Sequence, residues 1–140
     1  MLTLRKGEFM KEFKIGSEYS VCLEVDHEHT ALAVGSGSLP VFATPCMVAL
    51  MEEAAAGCAE PFLDKEETTV GTLVQVSHIS ATPEGMEVTA AAKLVEADGR
   101  RLVFEVTAVD DIGVVGQGKH ERFVVKKDKF MKKTLAKNNE

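Results

Sequence analysis

Thr44, Glu52 and His78 supply a hydroxyl, a carboxylate and an imidazole at positions that folding could bring together. Such a trio can activate water, hold a carbonyl compound and manage protons, which suits ester or thioester hydrolysis. Thr44 and Glu52 stand eight positions apart. At roughly 100° per residue on a helix, that spacing leaves them about 80° apart around the axis and two turns apart along it, flanking a common side. Glu52 aligns with Val48, Ala49, Ala55 and Ala56, small or apolar neighbours among which desolvation favours a carboxyl able to exchange a proton near neutrality. His78 falls on a strand face with Val74 and Val76. If that face packs on the helix, the imidazole points toward the same interior as Glu52 or toward a neighbouring subunit's copy of it. Each group also has a plain structural reading. Glu52 and Glu53 could form the narrow solvent edge of a partly exposed helix, Glu52 could pair with a cation, and His78 could be a satisfied core residue.

The helix carrying Thr44 and Glu52 is apolar almost all round. Residues 45–59 include no Lys, Arg, Asn, Gln or Asp, whereas an ordinary surface helix carries a polar stripe opposite its apolar one. Thr44 can cap this helix through its hydroxyl, Pro45 suits its first position and Pro61 stops it. The helix is therefore predicted to be central rather than peripheral.

Beyond it the period changes to two. Val70, Thr72, Val74, Val76, His78, Ser80 and Thr82 share one face of a strand, and Gly71 and Leu73 lie on the other. Pro83-Glu84-Gly85 signals a turn before a second strand over residues 86–94, and Asp98-Gly99 signals a hairpin before a third through Leu102, Phe104, Val106 and Ala108. A fourth strand over residues 114–125 completes a meander, and its Gly116 and Gly118 suggest a bulge or a close approach by other atoms. A further strand precedes the helix at residues 18–25. Short hairpins without βαβ alternation predict an α+β domain, a curved antiparallel sheet of about five strands wrapped around one long central helix. This is the hot-dog architecture. The open edges of such a sheet can be covered by pairing across a two-fold axis, so a homodimer is expected.

A chain of 140 residues that is 45% hydrophobic fits one globular domain. Its net charge of −6 is uneven, with a balance of −10 over residues 1–125 and +4 over residues 126–140. The acidic body argues against nucleic-acid binding, and the basic tail reads as a solvated terminal helix. Without a secretory or membrane-spanning apolar stretch, the expected location is cytoplasmic, with no membrane partner. Cys22, Cys46 and Cys58 are read as small core residues. Asp26-His27-Glu28-His29 has metal-ligand residue types but no third convergent ligand, so no metal site is expected. Gly35-Ser36-Gly37-Ser38 reads as a flexible connector, and His120, flanked by Lys119 and Glu121, as a strand-packing residue.

Three blocks in the same order carry a resemblance. Val41-Phe42-Ala43-Thr44 with Met47-Val48 and Leu50-Met51-Glu52, then Gly71-Thr72 with Val76-Ser77-His78 and Ala81-Thr82-Pro83, then Gly118-Lys119-His120-Glu121-Arg122 closely resemble the fluoroacetyl-CoA thioesterase family of hot-dog proteins. The likeness covers residues 10–130, read as the hot-dog domain between an N-terminal extension (1–9) and a basic tail (131–140). The resemblance implies acyl-CoA hydrolysis at a dimer interface, with Thr44, Glu52 and His78 as the catalytic set. It further implies that Glu52 is nucleophile or general base, that His78 assists the hydrolytic water and the departing thiol, and that Thr44 donates a hydrogen bond. The Gly71 amide would help hold an oxygen, and Arg122 would organise the site or contact substrate. No cofactor is implied, coenzyme A being part of the substrate. Because coenzyme A is polyanionic, cations such as Arg122, Lys119 or Lys126 are needed near the entrance.

One departure bears on specificity. The fluoroacetate-specific enzyme places aromatic gating residues before the central helix, and the aligned positions here, Gly35 and Ser38, carry no ring. A related thioesterase with a different, broader acyl preference is expected. The competing reading is a hot-dog protein that binds an acyl-CoA or small acid without turnover. A hydratase ranks below both.

Overall fold

The computed structural model describes residues 2–5 and 8–140. In chain order the elements are β1 (Leu2–Arg5), β2 (Glu8–Lys11), β3 (Glu18–Glu24), α1 (Ala31–Val34), α2 (Thr44–Ala59), β4 (Glu67–His78), β5 (Glu87–Asp98), β6 (Arg101–Val109), β7 (Val114–Lys126) and α3 (Lys127–Leu135). The extension expected over residues 1–9 includes Met1, Lys6 and Gly7, which lie outside the described residues. β1 and β2 pair as an antiparallel two-stranded ribbon.

The long helix forms where the sequence places it. α2 sends Met47, Leu50, Met51, Ala54, Ala55, Cys58 and Ala59 into the core and touches all five strands of the main sheet. Opposite them, alternate residues of β5 (Val88, Ala90, Ala92, Leu94) and β6 (Leu102, Phe104, Val106, Ala108) are buried, the period-two pattern of strands with one face on a core. Burying each larger side chain is worth about 1.5–3 kcal/mol. The alanines on both elements let helix and sheet approach closely. Gly57 acts likewise, because a Cβ there would collide with the Tyr19 ring lying on the helix.

The main sheet is antiparallel throughout, in the order β3-β5-β6-β7-β4. The fold class is as expected, but the strand order departs from a simple meander. β4 and β5 do not pair, because β3 takes the free edge of β5 (Val21 opposite Ala90) and β4 crosses to β7 (Val74 opposite His120). The turn signal at residues 83–85 instead serves the crossover, where Phe42 donates to the Thr82 carbonyl at 2.8 Å and Gly85 to the Val25 carbonyl at 2.8 Å.

β4 also begins before Val70. Glu67 is buried, accepts from the Asp64 amide at 3.0 Å and lies 3.6 Å from Arg100, so its polar group is satisfied and the strand can start there. A β-bulge between Gly71 and Leu73 then shifts the register against β7. The extra residue resets the alternation. Glu67, Thr69 and Gly71 face α2 before the bulge, and Val76 and His78 face it afterwards. Val70 and Thr72 therefore do not share the His78 face, contrary to the simple alternation.

The other expectations resolve individually. A Cβ on Gly116 would collide with Met47, and one on Gly118 with the β4 backbone, the close approach the glycines suggested. Cys58 is buried, with its thiol on the Ser17 carbonyl at 3.3 Å. Cys46 is only partly buried and Cys22 is exposed beside Thr89, because Cys22 falls on the solvent-facing parity of β3. Residues 27–29 form a 3-10 turn capped by Asp26, not a strand, and Asp26 holds His29 Nδ1 at 2.6 Å. α3 buries no residue. Among the described residues no helix is long and apolar enough to cross a membrane.

Candidate active site

At the front of α2, Ala43 occupies the N-cap with extended backbone and makes no side-chain cap bond, while Thr44 is already helical. The expected cap is absent because the Thr44 hydroxyl is engaged elsewhere. Its Oγ1 lies 2.8 Å from His78 Nδ1. His78 ends β4 with the Phe42 ring edge-on at a centroid distance of 6.3 Å. Its Nε2 is buried and has no hydrogen-bond partner among the described residues. Burial pushes the imidazole below its ordinary 6.5, with the Ser80 backbone acting in the other direction, so the ring is neutral at pH 7. Nε2 is thus a free donor or acceptor, according to which of Thr44 Oγ1 and His78 Nδ1 carries the shared proton. An open cleft of about 310 Å³ adjoins the pair, lined in part by Ser36, Phe42, Ser80 and Ala81.

Two turns along α2, roughly 12 Å at 1.5 Å per residue, lies a second cluster. Glu52 Oε2 is 3.3 Å from Arg122 Nη1 and 3.9 Å from His120 Nε2, and the Glu52 side chain is 40% exposed. The expectation of a carboxylate enclosed by apolar groups therefore gives way to one held at the rim by a cation. Arg122 reaches it from β7 because the Gly118, His120 and Arg122 parity faces the helix. Its Nε donates to Thr69 Oγ1 at 2.8 Å and its Nη2 to the Thr69 carbonyl at 3.0 Å. Burial draws the guanidinium below its ordinary range while Glu52 opposes that shift, and it remains a cation. Gly71, paired with Arg122 across the β4–β7 ladder, leaves the space that the carboxylate fills. Lys119 faces the other side of β7, 3.3 Å from Glu121.

The predicted site residues thus assemble as two groups, Thr44 with His78 and Glu52 with Gly71 and Arg122. Among the described residues no hydrogen bond or ion pair joins Glu52 to Thr44 or His78. Gly71 and His78 lie seven positions apart along β4, about 23 Å of extended chain. Sequence reasoning also set His120 aside as packing, yet its ring lies against both Arg122 and Glu52. The available signal was parity, since His120 and Arg122 must share a strand face.

This geometry can be set beside known proteins. The family model described as fluoroacetyl-CoA-specific thioesterase matches residues 25–128. A fluoroacetyl-CoA thioesterase from Streptantibioticus cattleyicolor is 43% identical over 97 residues, which span 69% of this chain and 70% of that protein. A solved fluoroacetyl-CoA thioesterase structure superposes with a TM-score of 0.83 at 34% identity, covering 89% of this chain and 96% of that one. A Thermus thermophilus member of the thioesterase superfamily gives a TM-score of 0.86 at 28% identity, covering 93% and 96%.

Proposed function

The chain belongs to the fluoroacetyl-CoA-specific thioesterase family and is a thioester hydrolase, and on that premise we propose that it cleaves small acyl-CoA thioesters to the free acid and coenzyme A in a two-subunit site. The observation that carries this reading is the poised carboxylate. Glu52 Oε2 is fixed by Arg122 at 3.3 Å, while Oε1 has no partner among the described residues and is available to react.

The split of the site gives the reading its dimeric form. β4 is an edge strand of twelve residues, and Leu73 and Val74 are exposed on it. Such an edge is a template for another strand. Antiparallel pairing of two β4 strands centred near Val74 and Gln75 sets His78 of one copy beside Gly71 of the other. The free imidazole nitrogen of one subunit then meets the Glu52 carboxylate of its partner.

Two routes are open to that constellation. In the first, Glu52 Oε1 adds to the thioester carbonyl carbon and the C–S bond breaks. Water then opens the mixed anhydride, giving its proton to His78 Nε2, which passes it to the thiolate. In the second, Glu52 takes the proton of the attacking water directly and the thiolate recovers it. Both regenerate the carboxylate, and both keep Thr44 as the hydrogen-bond partner that orients His78.

The cleft beside His78 is lined by Ser36 and Phe42, and the nearby chain positions Gly35 and Ser38 carry no ring. This supports a broad short-acyl preference over fluoroacetyl selectivity. The three free thiols suit the reducing cytoplasm. The test is thiol release from a panel of acyl-CoA esters by wild type, Glu52→Gln and His78→Ala. Turnover by wild type, lowered by about a hundredfold or more in both variants, is expected. Binding without turnover would favour a non-catalytic acyl-CoA binder instead, and selectivity for fluoroacetyl-CoA over acetyl-CoA would refute the broad preference.

A further inference from the structure

We infer that His120 is a positioning residue for Glu52: a neutral imidazole, locked in the Nδ1–H tautomer by the Leu73 carbonyl, that sets the Arg122 guanidinium so that Nη1 presents one hydrogen to the ring and the other to the carboxylate. The role of Glu52 in this statement rests on the hydrolase reading above. The arrangement of His120 does not.

Hydrogen-bond chemistry fixes the tautomer. His120 Nδ1 lies 2.8 Å from the Leu73 carbonyl oxygen, which can only accept, so Nδ1 carries the proton. In a neutral ring Nε2 is then a bare acceptor. It faces Arg122 Nη1 at 3.2 Å, a group that can only donate. The two contacts agree on one protonation state, and the ring is 1% exposed, tilted against Phe104 at 6.4 Å. A chain of donors therefore runs from the edge strand to the reacting group, with His120 Nδ1–H on Leu73, Arg122 Nη1–H on His120 Nε2, and the second Nη1 hydrogen on Glu52 Oε2. The remaining guanidinium nitrogens are occupied by Thr69. Without the ring, Nη1 keeps Glu52 as its only partner among the described residues and the carboxylate loses its fixed bearing.

Leu73 flanks the β-bulge of β4, so the irregular part of the strand is where the chain of donors is anchored. The titratable and charged groups facing His120 are Glu52 from α2 and Arg122 on its own strand, with Glu121 adjacent. β4 presents the Leu73 carbonyl and β6 the Phe104 ring. Burial and the Arg122 charge push the imidazole below 6.5, against the Leu73 carbonyl, Glu52 and Glu121, which act in the opposite direction. Charging the ring would place a hydrogen on Nε2 against the Arg122 cation and offer Glu52 a different donor, so acid would exchange the carboxylate's partner.

The deciding measurement is 15N NMR of the His120 ring in the wild-type protein without substrate. The expected result is a protonated Nδ1 and a bare Nε2 at pH 7, with a coupling across the hydrogen bond to Arg122 Nη1. A protonated Nε2, or a charged ring at pH 7, overturns the inference. Kinetics supply the second arm. His120→Phe removes both contacts, and kcat for thiol release is expected to fall about tenfold to a hundredfold with little change in KM. In His120→Gln, whose amide can both donate and accept, kcat is expected to recover in part and the acid limb of the pH profile to move. Full kcat in folded His120→Phe overturns the positioning role. A wild type with the expected tautomer but no thiol release refutes the hydrolase reading alone and leaves the arrangement of His120 established.

Discussion

A Cβ on Gly71 would stand 2.5 Å from Glu52 Oε2, so the carboxylate occupies the space any larger residue would need. The nearest obstacle is the end of a flexible side chain, which can swing away. Gly71→Ala is therefore expected to leave stability within about 0.5 kcal/mol of wild type while displacing Glu52 from Arg122 and lowering kcat by about a hundredfold. Chemical denaturation beside a thiol-release assay checks both halves. A large loss of stability with normal turnover in the surviving fold would contradict the arrangement.

Thr44 separates two roles that sequence alone would merge. A side-chain cap removed from a helix costs about 1 kcal/mol, but here the hydroxyl serves His78 at 2.8 Å. Thr44→Val is expected to change unfolding free energy by less than that amount and to reduce turnover by about tenfold or more, with Thr44→Ser recovering most of it.

The buried imidazole of His120 and the half-buried one of His78 give stability a pH dependence whose sign is fixed. Burial lowers both His78 and His120 relative to 6.5. Below about that pH the unfolded chain binds protons that the folded chain refuses, so stability falls as pH falls. The loss begins near 6.5 and levels off once the folded rings also titrate. Urea unfolding between pH 7.5 and pH 5 should show this decline, and His78→Ala should flatten part of it.

The open edge of β4 predicts how the protein assembles. Leu73 is 40% exposed on that strand, and a lysine there would put a strongly hydrated charge into the seam of a two-fold pairing. Leu73→Lys is expected to sediment as a monomer at micromolar concentration and to lose about tenfold or more of its activity. A dimer with undiminished turnover would move the subunit contact elsewhere.

The elements were legible in the sequence where one local pattern sufficed. Pro45, Pro61 and a stretch between them whose only charged residues are glutamates outlined α2, and alternation outlined the strands. What escaped was non-local. β4 crosses to β7 because β3 claims the edge of β5, a competition between segments some seventy residues apart that no window reveals. The bulge is equally silent, since Val70-Gly71-Thr72-Leu73 suits a strand in either register. Glu52 looked enclosed because its own helix is apolar, while the cation that holds it arrives from residue 122. His120 read as strand packing between Lys119 and Glu121, but nothing local showed that its buried ring meets Arg122 and Glu52.

Gly71 and His78 lie on the edge strand of the sheet, so under the proposed pairing the same dozen residues would serve both the site and self-association. If each working centre borrows an imidazole from a second protomer, dilution alone should switch the enzyme off, and the fraction of competent centres would climb in proportion to protomer concentration at the dilute limit.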